Sequence, residues 1–101
     1  MVTSDIVASR DLEFRFSGGA AESVEVSFCK PSFNPDVGYW ECQYSVVGES
    51  IDFKRNAAGA DSVQALSIAL KSVATDLRQI ELSQDGSFYL EGEPGHEFHK
   101  P

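Results

Sequence analysis

The chain has 101 residues, 42% of them apolar, and a net charge of -8 from sixteen acidic and eight basic side chains. That is enough for a single domain over 1–101 with its own core, and too apolar for a disordered chain. The basic residues are scattered and only Lys54 and Arg55 are adjacent, so the phosphate neutralisation that nucleic acid or an anionic membrane demands is not supplied.

Residues 1–5 read as a frayed start. Met1 to Arg10 carries neither a basic n-region nor an apolar h-region, and no apolar run nears the roughly 20 residues of a membrane span. A cytoplasmic location is expected. From Ile6 to Phe16, Leu12, Phe14 and Phe16 alternate with Asp11, Glu13 and Arg15, which predicts a strand half-buried at its C-terminal end. Residues 17–21 are small and read as a hairpin turn. Val24, Val26 and Phe28 predict a second strand from Glu22 to Cys29.

Residues 30–38 contain Pro31 and Pro35. Proline fixes φ and removes a backbone donor, so a stiff irregular loop is expected, with a turn at Pro35-Asp36-Val37-Gly38. Trp40, Cys42, Tyr44 and Val46 alternate with Glu41, Gln43 and Ser45 in a third strand. After a turn at Gly48-Glu49-Ser50, Ile51 and Phe53 predict a fourth strand that ends near Arg55.

Asp61 to Leu82 predicts one long helix. Val63, Leu66, Leu70, Val73, Leu77 and Ile80 form an apolar stripe, and Asp61 with Gln64 has the spacing of a capping box. Leu70→Asp is expected to be severely destabilising. Ser83 to Gly86 reads as a turn, Ser87 to Glu91 as a fifth strand, and residues 92–101 as an irregular tail. The expected fold is α+β, in the order β-β-β-β-α-β. An antiparallel meander of four to five strands would have the helix on one face, over Phe14, Val26, Trp40, Cys42 and Tyr44.

Cys29 is out of phase with its strand's apolar set and Cys42 is in phase with its own. The thiols are expected on opposite faces and unbridged, as a reducing compartment would keep them.

The stretch Pro35-Asp36-Val37-Gly38-Tyr39-Trp40-Glu41-Cys42-Gln43-Tyr44, together with Asp61-Ser62-Val63-Gln64-Ala65-Leu66, resembles a family of small bacterial proteins of unknown function. That family carries P-D-x-G-x-W-x-C-x-Y before a strand and D-S-x-Q-A-L at a helix start. The resemblance spans about residues 24 to 95 and implies an α+β fold, with no activity attached. Cys29 stands where the family pattern has glycine, and the tail departs from its shorter Gly-Phe-Pro ending.

No phosphate loop, dinucleotide fingerprint, serine triad order or zinc-finger spacing occurs, so no cofactor and no catalytic residue is expected. Neither cysteine has a nearby histidine to activate it. Lys54-Arg55, Gly59 and the helix start have the makings of an anion site, opposed by the negative cap Asp61. His96 and His99 are spaced as weak metal-ligand candidates, but an irregular tail does not preorganise ligands. The loop residues Phe33, Asn34, Asp36 and Tyr39, with the solvent-phase residues Glu25, Glu41 and Gln43, form the candidate interaction surface.

Three roles follow from the residues alone. The first is a non-enzymatic interaction module meeting a basic protein, such as an immunity-type inhibitor of a toxin. The second is a structural or regulatory subunit that forms a homo-oligomer through its first or fifth strand. The third is a small metal-binding protein using the tail histidines.

Overall fold

A computed structural model describes residues 5–98. Among the described residues the chain is α+β, with seven antiparallel strands and one helix. The strands are β1 (Ile6–Phe16), β2 (Ala21–Cys29), β3 (Ser32–Asn34), β4 (Tyr39–Gly48) and β5 (Asp52–Gly59). Helix α1 (Ser62–Gln84) follows, then β6 (Gly86–Leu90) and β7 (Glu93–Pro94).

The long strands form a meander: β4 pairs with β2 on one side and β5 on the other, while β1 joins β2 to β6, and β7 follows β6. The short strand β3 continues along the β2 side of β4, pairing Ser32 with Glu41 and Asn34 with Tyr39.

Several boundaries differ from expectation. The 30–38 segment is not wholly irregular. Ser32–Asn34 lies between the two prolines and pairs with β4, and Gly38 closes the turn at φ +77°. The fourth strand runs on past Arg55 to Gly59. Asn56, Ala57, Ala58 and Gly59 are poor strand formers, but tertiary pairing with Gln43, Cys42, Glu41 and Trp40 overrides propensity. The tail is not irregular throughout: Glu93–Pro94 pairs with β6, and Gly95 N–H donates to the Phe88 carbonyl at 2.9 Å. Residues 1–4 and 99–101, His99 among them, lie outside the described residues.

The core holds Leu12, Phe14, Val24, Val26, Phe28, Cys42, Tyr44, Val46 and Phe88 from the sheet. The helix adds Ala65, Ala69, Val73 and Leu77. The expected stripe is buried in part, at Val73 and Leu77. Val63 is 75% exposed and Leu70 38%, while Leu66 and Ile80 are only partly buried. At about 100° per residue the buried face is turned roughly 60° from the line of large apolar residues.

Small side chains let the helix sit close to β5. A Cβ placed on Gly59 would lie 2.5 Å from the Ala65 nitrogen, so only glycine fits there. Asp61 accepts from Gln64 N–H at 2.7 Å, and the Gln64 side chain reaches back to Ala60 N–H at 2.6 Å, one residue earlier than in the standard box. Asp85 takes the left-handed C-cap, and Ser17 on the β1–β2 turn holds it through its hydroxyl and N–H, both at 2.9 Å.

The cause of the rotation is Asp76. Its carboxylate is 5% exposed and lies on the helix face that meets the sheet. It accepts a hydrogen bond from the Tyr44 hydroxyl and pairs with Arg55 Nη1 at 3.0 Å. A buried carboxylate without partners is too costly to keep, so the helix turns to the side where β4 and β5 supply them. Burial, then the bond to Asp76, hold the Tyr44 phenol far above its ordinary range.

Two outcomes follow. Leu77→Ala should destabilise by about 2–5 kcal/mol in a urea melt, and Leu70→Ala by less than about 1.5 kcal/mol. The Tyr44 contribution is complete below about pH 10, where a free phenol ionises, and is lost as pH rises further. In an alkaline absorbance titration, Tyr44→Phe should therefore remove a late step that coincides with unfolding.

Candidate interaction surface

Among the described residues the helix covers one face of the sheet and no element is layered on the other. Register assigns the rows across that helix-free face. Asp11 is directly opposite Glu25, Glu25 opposite Val47, and Val47 opposite Asp52. All four are exposed. One row further, Ser9, Ser27, Ser45 and Lys54 line up. Ser27 and Ser45 are buried, short side chains at the floor of the sheet.

Like charges directly opposite one another on a sheet are destabilising. Asp11 and Glu25 are such a pair. Among the described residues the ion pairs are Arg15 with Glu13, Arg55 with Asp76 and Arg78 with Glu81, so no cation neutralises Asp11, Glu25 or Asp52. A shallow cleft of about 400 Å³ opens beside Asp11, Ser23 and Glu25.

At the other end of the face a polar cleft of about 430 Å³ is lined by Asp5, Cys29, Lys30, Glu41, Gln43 and Asn56, among others. The Cys29 thiol donates to Gln43 Oε1 at 4.0 Å. Cys42 lies on the helix side and its thiol donates to the Cys29 carbonyl at 3.4 Å. The two sulfurs are not bonded to each other. Burial raises both thiols, helped by Asp5 at Cys29 and by Cys29 at Cys42. A thiol held protonated is a poor nucleophile.

The loop residues separate. Asn34 and Tyr39 share the face with Glu25, Glu41 and Gln43, and Asn34 Nδ2 donates to Glu41 Oε1 at 3.2 Å. Phe33 lies on the other face, 51% exposed, edge-on to Trp40 with ring centres 5.9 Å apart. Asp36 is exposed in the turn, and its N–H donates to Asn34 Oδ1 at 3.0 Å. Val37 and Tyr39 are also exposed, so the hairpin tip is apolar as well as polar. Asp11, Val47 and Asp52 were not among the sequence candidates. Each is out of phase with its strand's core set, but only the register shows that they align with Glu25.

The other candidates are held in the fold. At the helix start the Gln64 N–H is taken by Asp61 and the Ala60 N–H by Gln64, so those two groups are engaged, while Arg55 Nη1 meets Asp76 with the rest of its guanidinium exposed. His96 Nδ1 accepts from Phe98 N–H at 3.2 Å, and burial lowers the ring's pKa. Arg10 donates to the His96 carbonyl at 2.8 Å and stands 4.5 Å from the Phe98 ring centre. Phe98 in turn packs edge-on against Phe28 at 5.7 Å. Among the described residues no group of three or more histidine, cysteine, aspartate and glutamate side chains could hold a metal. No helix there is long and apolar enough to cross a membrane.

No curated protein and no solved structure matches the chain. A family model does, over residues 8–100, and the chain therefore belongs to the family described as a domain of unknown function, DUF6968.

Proposed function

We propose that this protein is an interaction module whose helix-free sheet face docks a basic protein. The observation that carries the reading is the row Asp11, Glu25, Val47, Asp52. It places three exposed carboxylates across four strands with no cation among them. Repulsion within the row weakens the fold, and a cationic partner would relieve it. Val47, 42% exposed, offers an apolar centre inside the charged rim, the arrangement found at protein interfaces. The net charge of -8 would steer such a partner in. A concrete form of this role is an immunity-type inhibitor that covers the basic surface of a toxin.

A photo-crosslinking residue at position 47, with one at the exposed helix position 63 as control, tests the reading in a lysate of the source cell. Position 47 should capture a basic protein. Capture should fade with added salt and vanish in the triple variant D11N/E25Q/D52N. No capture at 47, or equal capture by the triple variant, would refute it. In the isolated domain, Glu25→Gln should raise stability by about 0.2–1 kcal/mol at low salt. The gain should shrink as ionic strength rises, because exposed charges are screened.

A further inference from the structure

Two margins of the sheet are unlike. One ends in β7, two residues long and closed by Pro94. The other is β5, eight residues long, paired only with β4. Along β5 the direction of the peptide groups follows from the hairpin before it. Gly48 N–H donates to the Ile51 carbonyl at 2.7 Å, so Gly48 and Ile51 are a hydrogen-bonded pair. In an antiparallel ladder such pairs alternate with pairs whose N–H and C=O point outward. Asp52, Lys54, Asn56 and Ala58 therefore turn their peptide groups away from β4. All four residues are exposed, whereas Ala57 and Gly59 between and after them are buried. The helix covers the core side of this strand and leaves its outer edge open.

This open edge carries Lys54 and Arg55, the one adjacent basic pair in an acidic chain. The Arg55 guanidinium remains 55% exposed although it meets Asp76. An added strand would place its side chains beside both. A second copy does not suit them. Antiparallel self-pairing centred on Arg55 or on Lys54 sets like charges face to face. Centred on Asn56, it leaves both cations opposite alanines. Centred on Phe53, it gives Lys54 an aspartate but Arg55 only Ile51.

We propose that β5 accepts an extended acidic segment of a partner protein as an additional strand, with backbone hydrogen bonds at Asp52, Lys54, Asn56 and Ala58 and carboxylates opposite Lys54 and Arg55. Strand addition of this kind draws affinity from the main chain and specificity from alternate side chains. The site adjoins the acidic face, where Asp52 belongs to both through its side chain and its backbone, and it uses the opposite charge.

The test uses the full chain and a fluorescein-labelled peptide of sequence Thr-Val-Glu-Glu-Val-Thr-Val, read by anisotropy, with amide hydrogen exchange on the unlabelled complex. The glutamate peptide should bind at least about tenfold more tightly than its Lys-Lys counterpart. It should slow exchange at the Lys54 and Asn56 amides. Asn56→Pro removes an outward N–H, a position where edge strands accept proline, and should abolish binding while the thermal melt stays near that of the parent. Lys54→Glu should reverse the preference between the two peptides, and decides the matter if the proline variant melts early. Equal affinity for both peptides, no binding up to about 1 mM, or binding with no protection on β5 would overturn the proposal. Glu25 plays no part in this readout, so failure here leaves the acidic-face reading standing, and success does not support it.

Discussion

Asp76 sets the angle at which the helix meets the sheet. A carboxylate 5% exposed needs partners, and the Tyr44 hydroxyl with Arg55 Nη1 are in place on neighbouring strands. Removing one member of such a group leaves an uncompensated buried charge or dipole, commonly at a cost of about 3–5 kcal/mol. Once this contact is made, the close approach of Ala65 to Gly59 follows, and Val63 and Leu70 are turned to solvent. The exposed apolar residues on the helix are thus a by-product of satisfying one polar side chain.

The same one-sided cover divides the sheet's duties. The face under the helix holds the aromatic core, with Phe14 set edge-on to both Phe16 and Phe88 at 4.8 Å. The other face is polar, and its hydrogen bonds are local: Asn34 with Glu41, Cys29 with Gln43. The turn at one end is braced by Glu22, which accepts from the Ser50 hydroxyl and N–H and is held below the usual carboxylate range by them. Stability therefore comes from the core face and the turns. The helix-free face is left to carry charge that the fold itself does not use, a pattern seen where stability is traded for binding.

Much of this was legible in the residues. Alternation marks β1, β2, β4 and the start of β5, because a half-buried strand must repeat every second residue. The helix ends are marked by Asp61 and by Asp85-Gly86. The rotation of the helix was not legible: hydropathy favours Leu70 over Ala69, and nothing local shows that Asp76 is drawn inward. Strands β3 and β7 were too short to repeat a pattern. Of the candidate interaction surface, the phase of Glu25, Glu41 and Gln43 could be read strand by strand. The alignment of Asp11 and Asp52 with Glu25 could not, since register joins strands distant in sequence. The edge positions also depend on it: β6 covers β1 only over Glu13–Phe16, and β6 itself lies between β1 and the two-residue β7.

The mismatch between a sealed margin at Pro94 and a long margin at β5 has a bearing on solubility. Fibre growth by sheet extension requires every subunit to offer a complementary border at each end, so that the last one added presents a fresh template. Here a strand added at β5 would need to meet β7, a proline-capped stub on the far side. Stacking of β5 on β7 would halt after a single step, so a ribbon grown through those two margins does not propagate.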